Sequence, residues 1–120
     1  MDLVQQIVAN LSVEEGQAEK GVGAILMALR MSTDKDTFEK AKVAVPNHES
    51  YMGRALMSGA RTGEMVAMVG PGALLAGLAA AGFRKGDVPR LGRIVMEYLR
   101  PSIGNEAVEK FLAGAPALKG

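Results

Sequence analysis

Leu3, Val4, Ile7, Val8 and Leu11 fall on one face of a helix at 3.6 residues per turn, which predicts a first helix across them. Ser12 stands three residues before Glu15, a capping-box spacing that predicts a second helix from about Val13. Ala18, Val22, Ile25, Leu26 and Leu29 form its apolar stripe. Gly16, Gly21 and Gly23 lie inside that helix, where each costs about 1 kcal/mol relative to alanine. Gly21 and Gly23 are therefore expected to admit a neighbouring helix at close range. Ser32 and Thr33 offer the next N-cap, with Asp34 and Asp36 favourable in the first turn. Phe38, Ala41 and Val45 make a short stripe that Pro46 closes. Asn47 can cap a further helix carrying Tyr51, Met52, Ala55 and Leu56, and residues 59–63 read as a loop.

Residues 65–83 carry no charge. Gly70-Pro71-Gly72 divides them into two short helices, and Gly82 suits the C-terminal cap of the second. Asp87 is placed to cap a long helix striped by Leu91, Ile94, Val95, Tyr98 and Leu99, which Pro101 should end. A last helix is expected from about Asn105 to Ala113. No run alternates at strand period, and no fixed repeat or long linker interrupts the chain. The expected fold class is all-α: a single irregular bundle of six to eight short-to-medium helices. Residues 1–115 form the domain and 116–120 a flexible tail. The first two helices and the Asp87–Arg100 helix should make the centre, with glycines 21, 23 and 77 at close helix contacts.

Composition narrows the chemistry. The 120 residues include 15 glycines, 8 methionines, no cysteine and one histidine. Zinc fingers, CxxC redox centres and cysteine nucleophiles are excluded. Fourteen basic and 13 acidic residues give a net charge of +1, too balanced to point to nucleic acid. Residues 1–60 hold 6 basic and 8 acidic side chains, residues 61–120 hold 8 and 5, a mild asymmetry. Asp2 stands where a secretory leader carries Lys or Arg, so a cytoplasmic setting is expected.

The opening resembles an uncharacterised bacterial family labelled VcgC/VcgE. The residues carrying the likeness are Met1-Asp2-Leu3-Val4-Gln5-Gln6, Leu11-Ser12-Val13, Gln17-Ala18, Gly21-Val22-Gly23, Phe38 and Ala44-Val45-Pro46. The Gly/Ala/Leu-rich middle and the C-terminal helix follow the same pattern, with fewer glycines and more arginine in the middle. These are helix faces, caps and glycines, not chemical motifs. The resemblance implies an all-helical domain of unknown function and transfers no catalytic or binding residue.

Each chemical candidate has a simpler explanation. His48 lies near Ser50 and Ser58, yet no Gly-x-Ser-x-Gly elbow accompanies them, and a polar first turn explains the histidine. Asp34, Asp36 and Glu39 begin like a calcium loop but lack its central glycine and closing glutamate, so a solvated helix start explains them. Gly70-Pro71-Gly72 could offer N–H groups to an anion, but it reads better as a corner between helices. The 19 uncharged residues 65–83 are broken by Gly-Pro-Gly, favouring a buried helix pair over a membrane segment. Arg84, Lys85, Arg90, Arg93 and Arg100 gather around the last long helix, where interleaved acids such as Glu97 suggest a solvated, ion-paired face. No catalytic residue, cofactor or metal is expected. The leading functional reading is a non-enzymatic interaction or self-assembly module, with a homo-oligomer or protein partner. Its candidate surface is Met52, Met57, Met65, Met68, Arg90 and Arg93, because methionines line adaptable grooves when exposed together. The alternative is a small-molecule or lipid carrier with an apolar cavity between helices.

Overall fold

The computed structural model describes residues 2–57, 78–115 and 118, with the backbone alone at 54–57. The described residues contain helices and turns and no strand. The helices are α1 (Leu3–Leu11), α2 (Glu15–Ser32), α3 (Lys35–Ala44), α4 (His48–Met57), α5 (Val88–Ile103) and α6 (Asn105–Gly114). A single 3-10 turn, Lys85–Asp87, leads into α5. The chain is an all-α bundle of short-to-medium helices. Among the described residues no helix is long and apolar enough to cross a membrane.

The centre is α2. Every residue from Gly21 to Leu29 is buried, so the middle of this helix is enclosed on all sides. It contacts α1, α3, α4, α5 and α6, and its pairing with α4 is the most extensive among the described residues. The expected stripes of α1, α3 and α5 all face this core, with Ile94 and Tyr98 of α5 only partly buried. Leu78, Ala81 and Phe83, the described end of the uncharged segment, are core residues as well.

Glycines set the closest approaches. A Cβ on Gly23 would overlap the Tyr51 carbonyl, so α4 rests backbone-first on α2. At Gly21 the closest visitor is the Phe83 ring, 2.6 Å from where a Cβ would stand, with the Leu91 side chain of α5 at 3.3 Å. Gly77 lies outside the described residues. Gly92 of α5 receives Leu118, whose Cβ would be 2.7 Å from an added methyl. Leu118 is 2% exposed, although the sequence places it in a loose tail.

Helix ends follow the expectation less closely. Asp2 caps α1, accepting the Gln5 N–H at 2.8 Å, while the Gln5 side chain accepts the Asp2 N–H at 3.4 Å. Ser12 does not cap α2. It closes α1 in the left-handed region at φ 56°, and α2 begins after Glu14, which makes no side-chain cap. An N-cap needs extended backbone, and Ser12 is already committed to stopping α1. Ser32 and Thr33 likewise belong to the end of α2, and the cap of α3 is Asp34, which accepts the Thr37 N–H at 2.7 Å. Asn47 offers its carbonyl to Tyr51 N–H at 3.1 Å, while its side chain lies 3.5 Å from the Tyr51 hydroxyl. Asp87 precedes α5 in a helical conformation, finishing the 3-10 turn without a side-chain cap.

Pro101 does not end α5. It sits in the last turn, where the loss of one N–H is outweighed by burying Ile103, and the helix stops at Gly104 with φ 91°. Gly82 does end its helix as expected. At φ 99° it allows Phe83 N–H to reach Leu78 O at 3.0 Å and its own N–H to reach Ala79 O at 3.0 Å, the paired bonds of a Schellman motif. The Gln17 side chain donates to the Gly82 carbonyl at 2.9 Å and fastens this turn to α2.

Gly23→Ala is expected to destabilise the fold by about 1–3 kcal/mol, because the obstacle is backbone and cannot rotate away. Gly16→Ala, with open space around it, should raise stability by about 0.5 kcal/mol through helix propensity. Urea unfolding of the two variants checks the pair, and equal stabilities would contradict the close approach of α4. Leu118→Ala should cost about 2 kcal/mol in the same assay, whereas a loose tail would show no change.

Candidate functional site

The end of α2, the body of α3 and the start of α4 line an open cleft of about 410 Å³. Arg30 comes from α2, Phe38 and Lys42 from α3, and His48, Glu49 and Met52 from α4. The 3.6-residue repeat places Phe38 and Lys42 on one face of α3, and His48 and Met52 on one face of α4. Pro46 and Asn47 turn the chain between the two helices, bringing both faces to the same opening.

One of the charges in the cleft, that of Lys42, is held by a neighbour. Lys42 Nζ lies 2.9 Å from Glu39 Oε1 and 5.8 Å from the centre of the Phe38 ring. The hydrogen bond from Lys42 holds the Glu39 carboxyl below the ordinary glutamate range, against a smaller opposing effect of desolvation. Lys42, Lys35 and His48 add smaller charge contributions in the same direction. The Val45 carbonyl faces both the His48 N–H at 3.0 Å and the His48 ring Nδ1 at 2.9 Å. A carbonyl only accepts, so Nδ1 carries a proton, and whenever the ring is neutral its lone pair lies on Nε2.

The candidate interaction residues are not all brought together. Met52 lines this cleft, half-buried. Met57 ends α4 with its side chain outside the described residues, and Met65 and Met68 also lie outside them. Arg90 is engaged elsewhere: its Nη2 donates to the Asn10 carbonyl at 2.8 Å, satisfying an open acceptor in the last turn of α1. Arg93 lines a separate cleft of about 210 Å³ with Glu97, Arg100 and Glu109. There Glu97 pairs with Arg100 at 3.1 Å, and Arg100 also reaches Asn105 at 2.8 Å and Glu109 at 3.5 Å. Arg100 thus joins α5 to α6 across Gly104. Arg84 and Lys85 are exposed in the turn before α5.

The other candidates are also dispersed. Ser50 lines a third cleft with Asp2, Glu15, Glu19 and Tyr51, apart from the cleft that holds His48. Ser58 and Gly70-Pro71-Gly72 lie outside the described residues. Asp34 is occupied as a cap, Glu39 by Lys42, and Asp36 is exposed. Among the described residues no three His, Asp or Glu side chains are grouped to hold a metal ion. The residues missed in sequence are Arg30, Phe38 and Lys42. The Phe38–Lys42 spacing was a usable signal, but their meeting with Arg30 and α4 depends on tertiary packing. In comparisons with known proteins, no family model, curated sequence or solved structure matches the chain.

The Asp34 carboxyl is held below the ordinary aspartate range, chiefly by the Thr37 backbone N–H and then by the Thr37 side chain. Its folded value is therefore lower than its unfolded one. The cap's contribution is present above the unfolded value and is lost as pH falls through the folded value. A carbon-detected NMR titration should give Asp34 a midpoint below that of a model aspartate. Thr37→Ala should move that midpoint upward only in part, because the backbone donor remains.

Proposed function

We propose that the chain is a non-enzymatic helical interaction module that associates with further copies of itself. The observation supporting this reading is the apolar exposure on two of the helices, α2 and α3, that line the cleft holding His48. Met31 near the end of α2 is 50% exposed, and Val43 near the end of α3 is 83% exposed. Each is one residue from a cleft side chain, Arg30 or Lys42. Met52 adds an adaptable thioether in the cleft itself. Apolar groups beside charged side chains fit a small interface with an apolar centre and a polar rim. At that exposure Val43 contributes little to the core.

The carrier reading draws less support. The four described clefts all include charged side chains in their walls, as with Asp34, Glu106 and Lys110 in one and Asp2, Glu15 and Glu19 in another. A lipid tail seated there would have to desolvate those charges. Kinship with the VcgC/VcgE family, a bacterial source and a cytoplasmic setting belong to the same proposal. The kinship and the source rest on the helix-face and glycine pattern, of which Gly23 is the most constrained position.

Sedimentation equilibrium over a wide concentration range tests the reading. The native chain should gain mass with concentration, and Val43→Glu and Met31→Glu should each shift it towards the monomer. Their urea midpoints should stay within about 0.5 kcal/mol of the native value, as expected for exposed positions. A native chain that remains monomeric throughout, or variants that associate as it does, would overturn the proposal.

A further inference from the structure

His48 and Met52 stand one helical turn apart on α4 and line the same cleft. The two side chains share a helix face at this spacing. The Val45 carbonyl, 2.9 Å from Nδ1, keeps a proton on that nitrogen, so in the neutral ring Nε2 is the nitrogen with a lone pair to offer. A metal-ligating histidine commonly has its other nitrogen fixed in this way by a backbone carbonyl. Met52 contributes a polarisable thioether and is only half-buried. From this juxtaposition we infer that His48 Nε2 and the Met52 sulfur form a two-ligand site for a soft monovalent cation of the Cu(I) class.

The ligand types select the ion. Imidazole with thioether favours soft cations, whereas magnesium, calcium and manganese require oxygen donors. Zinc would need further nitrogen, sulfur or carboxylate ligands in a tetrahedral set. Local charge permits a monocation. Arg30 and Lys42 contribute two positive charges to the cleft and its edge, and Glu49 and Glu39 contribute two negative ones. Lys42 is held by Glu39 at 2.9 Å, and the buried Phe38 ring supplies an apolar wall beside the donors. An incoming single charge therefore meets a balanced surrounding, and no redox step is required for binding.

Silver(I), a redox-silent ion of the same class, is the probe. It is titrated as the nitrate into the full chain in chloride-free buffer and followed by residue-resolved NMR. The expected result is joint movement of the His48 Nε2 resonance and the Met52 methyl resonance, complete at about one equivalent. His48→Gln and Met52→Leu should each weaken this binding by at least about tenfold. Met31→Leu, which removes an exposed thioether outside the pair, should leave it unchanged. Circular dichroism should show all three variants folded. The inference is overturned if Met52→Leu binds silver as the native chain does. It is also overturned if the His48 and Met52 signals move independently, or if Nδ1 rather than Nε2 responds. This readout is independent of mass, so its failure would leave the self-association proposal standing.

Discussion

The backbone of α4 lies directly on α2 at Gly23, and the arrangement of the cleft depends on that contact. A side chain at position 23 would meet the Tyr51 carbonyl, which belongs to a hydrogen-bonded helix and cannot swing aside. With glycine there, α4 comes near enough to cover the centre of α2, where nine successive residues from Gly21 to Leu29 are buried. Such a helix gains from burial only if every side is covered. α1, α3, α5 and α6 each cover part of it, and α4 makes the most extensive contact among the described residues. The same approach places the start of α4 beside the end of α2 and the face of α3. His48 and Met52 reach the opening that Arg30 and Lys42 also line because Tyr51, on the same helix, is seated on Gly23.

The stripes were legible in the sequence because burial repeats with the helical period and needs no knowledge of the partner. Phe38, Ala41 and Val45 are one case, and Leu91, Val95 and Leu99 are another. The helix ends were harder to read because neighbouring residues compete for one role. Ser12 has the chemistry of an N-cap for α2, but stopping α1 requires its backbone to turn left-handed. Ser32, Thr33 and Asp34 are all good caps, and the continued winding of α2 leaves only Asp34 free to serve. Pro101 carries a local breaking signal, yet its penalty is small in a final turn that buries Ile103. Gly82 was readable because a left-handed helix end leaves glycine little competition.

The site was legible only in part. The i to i+4 spacing of His48 and Met52 is visible in the letters, as is that of Phe38 and Lys42. Their convergence with Arg30 depends on the angle between α2, α3 and α4, which no local pattern records. Arg90 illustrates the reverse problem. Its place among four other basic residues suggested a patch, but its partner is the Asn10 carbonyl, 80 residues away. Leu118 is similar: a Pro-Ala-Leu-Lys-Gly sequence has the composition of a tail, and Gly92 supplies the space that makes its leucine a core residue.

Charge balance determines what kind of partner the cleft can accept. An anion drawn to Arg30 and Lys42 would also meet Glu39 and Glu49, and Lys42 would have to release a 2.9 Å partner to bind it. The net attraction is small, and surface ion pairs of this kind are worth little to begin with. Discrimination then passes from charge to polarisability and shape. Met52 is the polarisable group, and Phe38 is the rigid wall beside it. A ligand that gains from a thioether and an imidazole lone pair is favoured over one that gains only from a formal charge. The proposed association would use Met31 of α2 and Val43 of α3, and the proposed cation site uses His48 and Met52 of α4, so the two proposals do not call on the same side chains.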